Sequence, residues 1–425
     1  MKKLEVSLAV IAAVFGWVAI DAPAAAQDGD NFSRDRNQSV RGRAKPEYDA
    51  RGVRLGGFMA YPELTIAAEY NDNIFATNLN PQEDLVTHVR GRLDITSNWS
   101  THELNFRLDS PSRFYSDFDE NNTTDVIGAV DGRLDVYRDF NLFGGVEYGD
   151  MTEPLSSSPT AQPLREPIEY VRASANVGAV KAFNRLRVSG EARYGDYDFE
   201  DGFLFDDTPV DQDDRDRSVI EFGVRADYAL SPMTALFVAV GANERNYKLD
   251  PPDVIVDRDS TGYEVLAGAD FDIARLVRGE IGVGYLSQEY DDPSVGDTNG
   301  LALRSRIEWF PDELVTVTFG AAREVADAGA FGASSYVSNN ATFAIDYEWR
   351  RNVVFGMRAD YSVDDYNGID REDRRWDAVA TGDYLIDRNA ALFFELGHYE
   401  QESDGAQFGR DYDIDRVVVG IKLRR

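Results

Sequence analysis

From Leu64 to Leu423 the chain repeats a two-residue rhythm in which strand-length stretches set one apolar residue against one polar or tiny residue. The run from Arg185 to Gly195 shows it well. Leu186, Val188, Gly190, Ala192 and Tyr194 share one parity, while Arg185, Arg187, Ser189, Glu191 and Arg193 share the other. Successive strand side chains project to opposite faces, so such a segment has one apolar and one charged face. A soluble sandwich also alternates, but it rarely sets Arg, Glu and Arg mid-strand in segment after segment. A membrane barrel does so naturally, with lipid outside and water inside. The pattern therefore predicts an all-β, transmembrane, antiparallel up-and-down barrel.

Composition narrows the field further. Charged residues make up 28% of the chain, and no mature stretch offers the roughly 20 consecutive apolar residues of a spanning helix. A barrel escapes that limit because each strand needs only half an apolar face. Aromatics reach 12%, mostly Tyr and Phe, as expected where rings line both membrane interfaces. A net charge of -32 excludes nucleic acid as a partner, since a polyanion is repelled. The chain has no cysteine, so disulfides, thiolate nucleophiles and cysteine metal sites are excluded.

Residues 1–26 read as an export signal: Lys2 and Lys3, an apolar core from Leu8 to Ile20, and a small-residue cleavage site at Ala24-Ala25-Ala26. Residues 27–56 lack periodicity and carry Arg34, Arg36, Arg41, Arg43, Lys45, Arg51 and Arg54, a flexible basic periplasmic lead-in. Residues 57–425 then hold about eighteen amphipathic segments, beginning at 63–71, 86–97 and 101–110 and ending at 389–400 and 413–424. Short turns such as Ser231-Pro232, Pro311-Asp312 and Asp387-Arg388 alternate with long polar connections such as 72–85, 152–167 and 197–216. Short and long connections strictly alternating imply an even-stranded barrel with both termini on the short-turn side, which is periplasmic in bacterial outer-membrane barrels.

The polar parity gives the candidate pore-lining residues. Arg90, Arg92, Arg107, Arg133, Arg187, Glu191, Arg193, Glu221, Arg225, Arg304, Arg306 and Arg358 all fall on it, interleaved with acids such as Asp94, Asp109, Asp135, Asp227 and Glu308. They either orient a polar solute or pair across strands to hold the wall. Acidic residues crowd the connection from Asp196 to Asp216. Asp196-x-Asp198-x-Glu200-Asp201-Gly202 offers hard oxygen ligands but lacks the full calcium-loop pattern, so no metal site is assigned. His88, His102 and His398 sit in no nucleophile or metal motif. No catalytic residue and no cofactor is expected, and the chain is not read as an enzyme. Tyr137, Phe143, Phe237, Phe310 and Phe393 are aromatic candidates on the polar faces, where they could stack on sugar rings or act as packing wedges.

Pro46-Glu47-Tyr48-Asp49-Ala50-Arg51-Gly52-Val53-Arg54-Leu55-Gly56-Gly57-Phe58, Tyr61-Pro62 and Tyr70-Asn71-Asp72-Asn73-Ile74-Phe75 resemble the beta-barrel porin 2 family of proteobacterial outer-membrane proteins. The resemblance implies location in the cell outer membrane, and an association with exopolysaccharide synthesis and export that many relatives have. It supplies no catalytic or binding residues. The expected function is a channel for a hydrophilic solute, associated with exopolysaccharide secretion. A general diffusion porin and a structural or adhesive barrel with acidic surface loops are the alternatives. Expected partners are outer-membrane lipid and lipopolysaccharide, the outer-membrane assembly machinery, and periplasmic polysaccharide-export components. One departure stands out: such barrels commonly end on an aromatic residue, whereas this chain ends Leu423-Arg424-Arg425.

Overall fold

The computed structural model describes residues 38–157, 163–249, 251, 254, 256–328 and 333–425. The export signal and residues 27–37 lie outside the described residues. Eighteen long strands form one closed wall. In chain order they are β1 (Phe58–Asn71), β2 (Asp84–Ser97), β3 (Glu103–Tyr115), β4 (Val126–Tyr137), β5 (Phe140–Glu153) and β6 (Ile168–Phe183). Next come β7 (Leu186–Phe199), β8 (Arg217–Ser231), β9 (Thr234–Tyr247), β10 (Ser260–Ile273), β11 (Val277–Tyr290) and β12 (Thr298–Asp312). The wall ends with β13 (Val315–Asp327), β14 (Ser335–Arg350), β15 (Val353–Asn367), β16 (Glu372–Leu385), β17 (Ala390–Asp404) and β18 (Tyr412–Arg424).

Each strand pairs antiparallel with its sequence neighbour, and β1 closes on β18 from Glu63↔Arg424 to Asn71↔Arg416. Closure removes both sheet edges, so strand pairing can satisfy the backbone at membrane depth. Strand pairs meet through short turns at one end, for example two residues between β6 and β7, and through longer connections at the other. The even count brings both termini to the short-turn end, which is the periplasmic end.

Several strands run further than the alternation predicts, β1 and β3 the furthest. β1 starts at Phe58 rather than residue 63, and β3 continues through Pro111 to Tyr115 rather than stopping at residue 110. Proline lacks the N–H that a ladder needs, so it is tolerated only where one side of a strand is unpaired. Both prolines meet that condition. The Pro62 carbonyl accepts from the Arg425 N–H at 3.2 Å, facing the side on which the β18 ladder begins only at Glu63. The Pro111 carbonyl accepts from the Asp125 N–H at 2.9 Å, in the gap that breaks the ladder between Asp109↔Ile127 and Ser112↔Thr124.

The apolar parity forms an exposed band around the barrel. Phe222 is 57% exposed, Val224 55%, Val177 63% and Met357 66%. A continuous apolar surface of this kind is unsuited to water and suited to hydrocarbon. Rings mark its two borders. Trp99, Trp309, Trp349 and Tyr384 stand exposed toward the short turns, and Tyr70, Tyr148, Tyr263 and Tyr361 toward the long loops.

Candidate functional site

The opposite parity points into the barrel. Contacts between non-adjacent strands prove the direction, because only the interior side can carry them. Arg225 on β8 forms two hydrogen bonds to Glu280 on β11, at 3.0 and 2.7 Å. Arg245 on β9 donates to the Val325 carbonyl on β13 at 3.1 Å.

All twelve residues anticipated to line the pore lie on this inward face, and each takes part in an ion pair. Arg90 pairs with Asp109. Arg92 lies 2.7 Å and Arg107 3.4 Å from Asp94. Arg133 bridges Glu103 and Asp135 at 3.1 and 2.9 Å. Arg193 lies between Glu191 and Glu221, at 3.2 and 4.0 Å. Asp227, only 1% exposed, holds Arg187 at 3.4 Å and Arg225 at 2.9 Å. Arg304 reaches Glu264 at 3.8 Å, Arg306 reaches Glu308 at 3.4 Å and Arg358 reaches Asp360 at 2.6 Å. Most partners are two residues apart on one strand or across a neighbouring strand, while Arg225–Glu280 and Arg304–Glu264 reach past a neighbour. The arginines differ in how much of the head remains open. The Arg306 and Arg358 side chains keep 65% and 52% exposure, against 14% for Arg225.

Interior aromatics serve as wedges. The Phe237 ring occupies the space a Cβ would need at Gly268 and Gly282 on the next two strands, and carries the Arg225 guanidinium 4.0 Å from its centre. Phe143 fills the same kind of gap at Gly178, and Phe393 at Gly420. Phe310 sits under Arg278 at 5.4 Å, and Phe393 under Lys422 at 5.0 Å. Tyr137 departs from the expected polar face. A β-bulge between Asp135 and Tyr137 breaks the parity and leaves its ring 68% exposed beside the turn.

The extracellular mouth holds residues that alternation alone could not reveal. Ile74, Phe75, Leu155 and Leu164 from the long loops pack against inward-facing Met151, Tyr170, Tyr197, Phe199 and Val219 at the strand tips. Phe75 meets Phe118 at 5.2 Å and Phe205 at 4.9 Å between ring centres, joining three loops. Arg410, from the β17–β18 loop, donates to the carbonyls of Phe75 at 3.1 Å and Leu155 at 2.7 Å. Arg258 ties the β9–β10 loop to the Ala328 carbonyl at 3.0 Å and to the Asp214 carboxylate at 2.8 Å. The available signal was large apolar residues inside long polar connections, a placement that solvated loops have no use for.

The acidic connection does not form the linear calcium motif. Asp196 and Asp198 lie on β7 near Lys248, at 4.0 and 3.5 Å, whereas Asp201 gathers instead with Asp211 and Asp213. Those three carboxylates are exposed, with ligand atoms within 4.8 Å of one another. Burial raises the Asp216 carboxyl to about 6, and Asp198 beside it adds to the effect. The histidines hold acids: His88 lies 2.9 Å from Glu69 and His398 2.7 Å from Asp415. His102 occupies the β2–β3 turn with φ +67°.

Residues 45–425 match the family described as Putative beta-barrel porin 2. No curated protein matches the chain. Among solved structures, it is similar to the outer-membrane protein OpdK of Pseudomonas aeruginosa, at 13% identity and a TM-score of 0.44, over 86% of this chain and 99% of that one. It is also similar to a BenF-like porin from Pseudomonas fluorescens, at 12% identity and a TM-score of 0.45, over 87% of this chain and 100% of that one.

Proposed function

The chain belongs to the Putative beta-barrel porin 2 family, as a porin-like outer-membrane channel and not an enzyme, and from that premise we propose that it passes small hydrophilic solutes through a charged, water-filled bore. The observation that carries this reading is the open exposure of Arg306 and Arg358 inside the wall. Desolvating such heads is costly, so a dry interior would bury or neutralise them more completely. Barrels of this strand number leave an aqueous interior where loops do not fill it. The inward-folded loops would set the narrowest point at the outer mouth, so solute size is the first selectivity.

A secreted polysaccharide is the second cargo, supported by the family resemblance at Pro46–Asp49 and Tyr70–Phe75. Passage of a polymer would require the contacts of Arg258 and Arg410 to open. The engaged state of Phe237, Phe310 and Phe393 favours the small solute, because these rings already face glycine or a cation rather than the bore.

The test is solute flux in vesicles containing the purified barrel. Monosaccharides should enter readily and trisaccharides slowly. Flux of long oligosaccharides without a size cut-off would favour the secretion reading. Absence of both solute flux and ion conductance from a correctly folded barrel would overturn the channel reading altogether.

A further inference from the structure

The basic lead-in, read from sequence as flexible, is seated inside the periplasmic mouth from residue 38 onward. Ser39 and Val40 are 6% and 0% exposed. The Val40 N–H donates to Thr316 Oγ1 on β13 at 3.0 Å. Arg41 spreads its guanidinium over three inward side chains: Nε reaches Asp346 on β14 at 2.5 Å, and two further nitrogens reach Asp383 and Thr381 on β16, each at 2.8 Å. Between those strands β15 presents Gly356, where an added Cβ would stand 2.7 Å from the Arg41 guanidinium. A larger residue there would displace the arginine.

Further along, Arg43 and Lys45 each approach Glu348 at 3.7 Å, a carboxylate only 1% exposed. The rim then clasps the backbone. Arg388 donates to the Pro46 carbonyl and Arg424 to the Tyr48 carbonyl, both at 3.0 Å.

Segment and wall are complementary in charge. Asp346, Glu348 and Asp383 face inward on two strands separated only by β15, and like charges so placed repel unless countered. The counter-charge comes from Arg41, Arg43 and Lys45. An unattached tail has no reason to place three cations on three buried or half-buried carboxylates.

We propose that residues 38–49 form a tethered constriction of the periplasmic mouth, with Arg41 as the residue that sets its ion selectivity. The segment occupies cross-section that ions would otherwise use, and its cations mask an acidic ring. Without the segment the bore is wider at this end and its wall negative, so cations are concentrated there. The inference rests on the reading of the barrel as an ion- and solute-conducting channel.

The experiment compares the mature full-length barrel with Arg41→Gln, and with a variant lacking residues 28–45, in planar bilayers under a salt gradient. The deletion should raise single-channel conductance, and both variants should shift the reversal potential toward cation selectivity. A second measurement does not depend on conduction. In the cysteine-free chain, Val40→Cys should resist a water-soluble thiol reagent, and adding Arg41→Gln should make it reactive. Unchanged conductance and selectivity in both variants, with the parent conducting, would overturn the role of the segment while leaving the channel intact. A reactive Val40→Cys in the otherwise unaltered barrel would show that the segment is not seated. Failure of parent and deletion alike to conduct would overturn the channel reading and this inference with it.

Discussion

Replacing Val224 with arginine puts a guanidinium where the barrel wall faces lipid. Val224 is the middle residue of β8, 55% exposed, with Val240 and Gly190 opposite on the flanking strands. Its same-face neighbours Phe222, Ala226 and Val238 offer no carboxylate. Seven residues separate it from either strand end. At about 3.3 Å per residue that is about 23 Å of strand, and with a tilt of about 40° roughly 17 Å of depth. An arginine side chain cannot snorkel so far. The cost is therefore the midplane value, about 2–4 kcal/mol, or on the order of 30- to 700-fold in the folding equilibrium. Leu236→Arg, near the periplasmic end of β9, should cost only about 0–1 kcal/mol. Thr318→Arg, inward on β13 and opposite a Glu308 already engaged by Arg278 and Arg306, should cost far less than Val224→Arg, because its head meets water rather than lipid. The assay is denaturant-dependent folding into phospholipid vesicles, followed by tryptophan fluorescence and electrophoretic mobility. Normal folding of Val224→Arg with failure of Thr318→Arg would mean that the two faces are exchanged. Equal penalties at all three sites would refute the two-faced wall.

Topology is checked on intact cells: a cysteine at Asp207 should react with an impermeant reagent and one at Pro232 should not, with the opposite result inverting the barrel. Gly268→Ala should destabilise the wall, because its Cβ would fall 2.1 Å from the Ile281 carbonyl oxygen and 2.4 Å from the Phe237 ring; additional Phe237→Leu should relieve only the second clash and recover part of the loss in the same folding assay. The pH response follows from Asp216, whose carboxyl sits near 6 in the folded loop and lower in an unfolded chain. The folded loop thus binds the proton more tightly, so stability is gained as pH falls through about 6 and withdrawn as pH rises above it. Limited proteolysis of the 200–216 loop should accordingly slow between pH 7.5 and pH 5, and Asp216→Asn should remove that dependence.

Much of the wall was legible in the sequence because period two carries strand, face and register together. The segment Arg185–Gly195 assigned both a lipid and a lumen side without further information. Strand ends around Pro62 and Pro111 were misjudged because proline's cost depends on whether a neighbour is present at that level, a fact of tertiary structure. The twelve charged residues could be put on a face from parity, but not into pairs. Arg225 finds Glu280 two strands past its immediate neighbour, which no local spacing encodes. Least legible were the two mouths. Phe75, Leu155 and Arg410 are far apart in sequence and meet only because closure brings their loops over one opening. The basic lead-in gave its charge but not its destination, since Asp346 and Asp383 lie some three hundred residues away.

The barrel wall is one residue thick, with lipid on one side and water on the other. Because the chain has no cysteine of its own, single cysteines can be placed at each position from Met357 to Ser362 of β15 and probed in vesicles with a membrane-impermeant thiol reagent. Reaction should alternate with period two, with Arg358, Asp360 and Ser362 positions reactive from the bore and Met357, Ala359 and Tyr361 positions protected by lipid. Uniform protection would mean a dry interior, and uniform reactivity a strand with no lipid face; either result is incompatible with a two-faced wall.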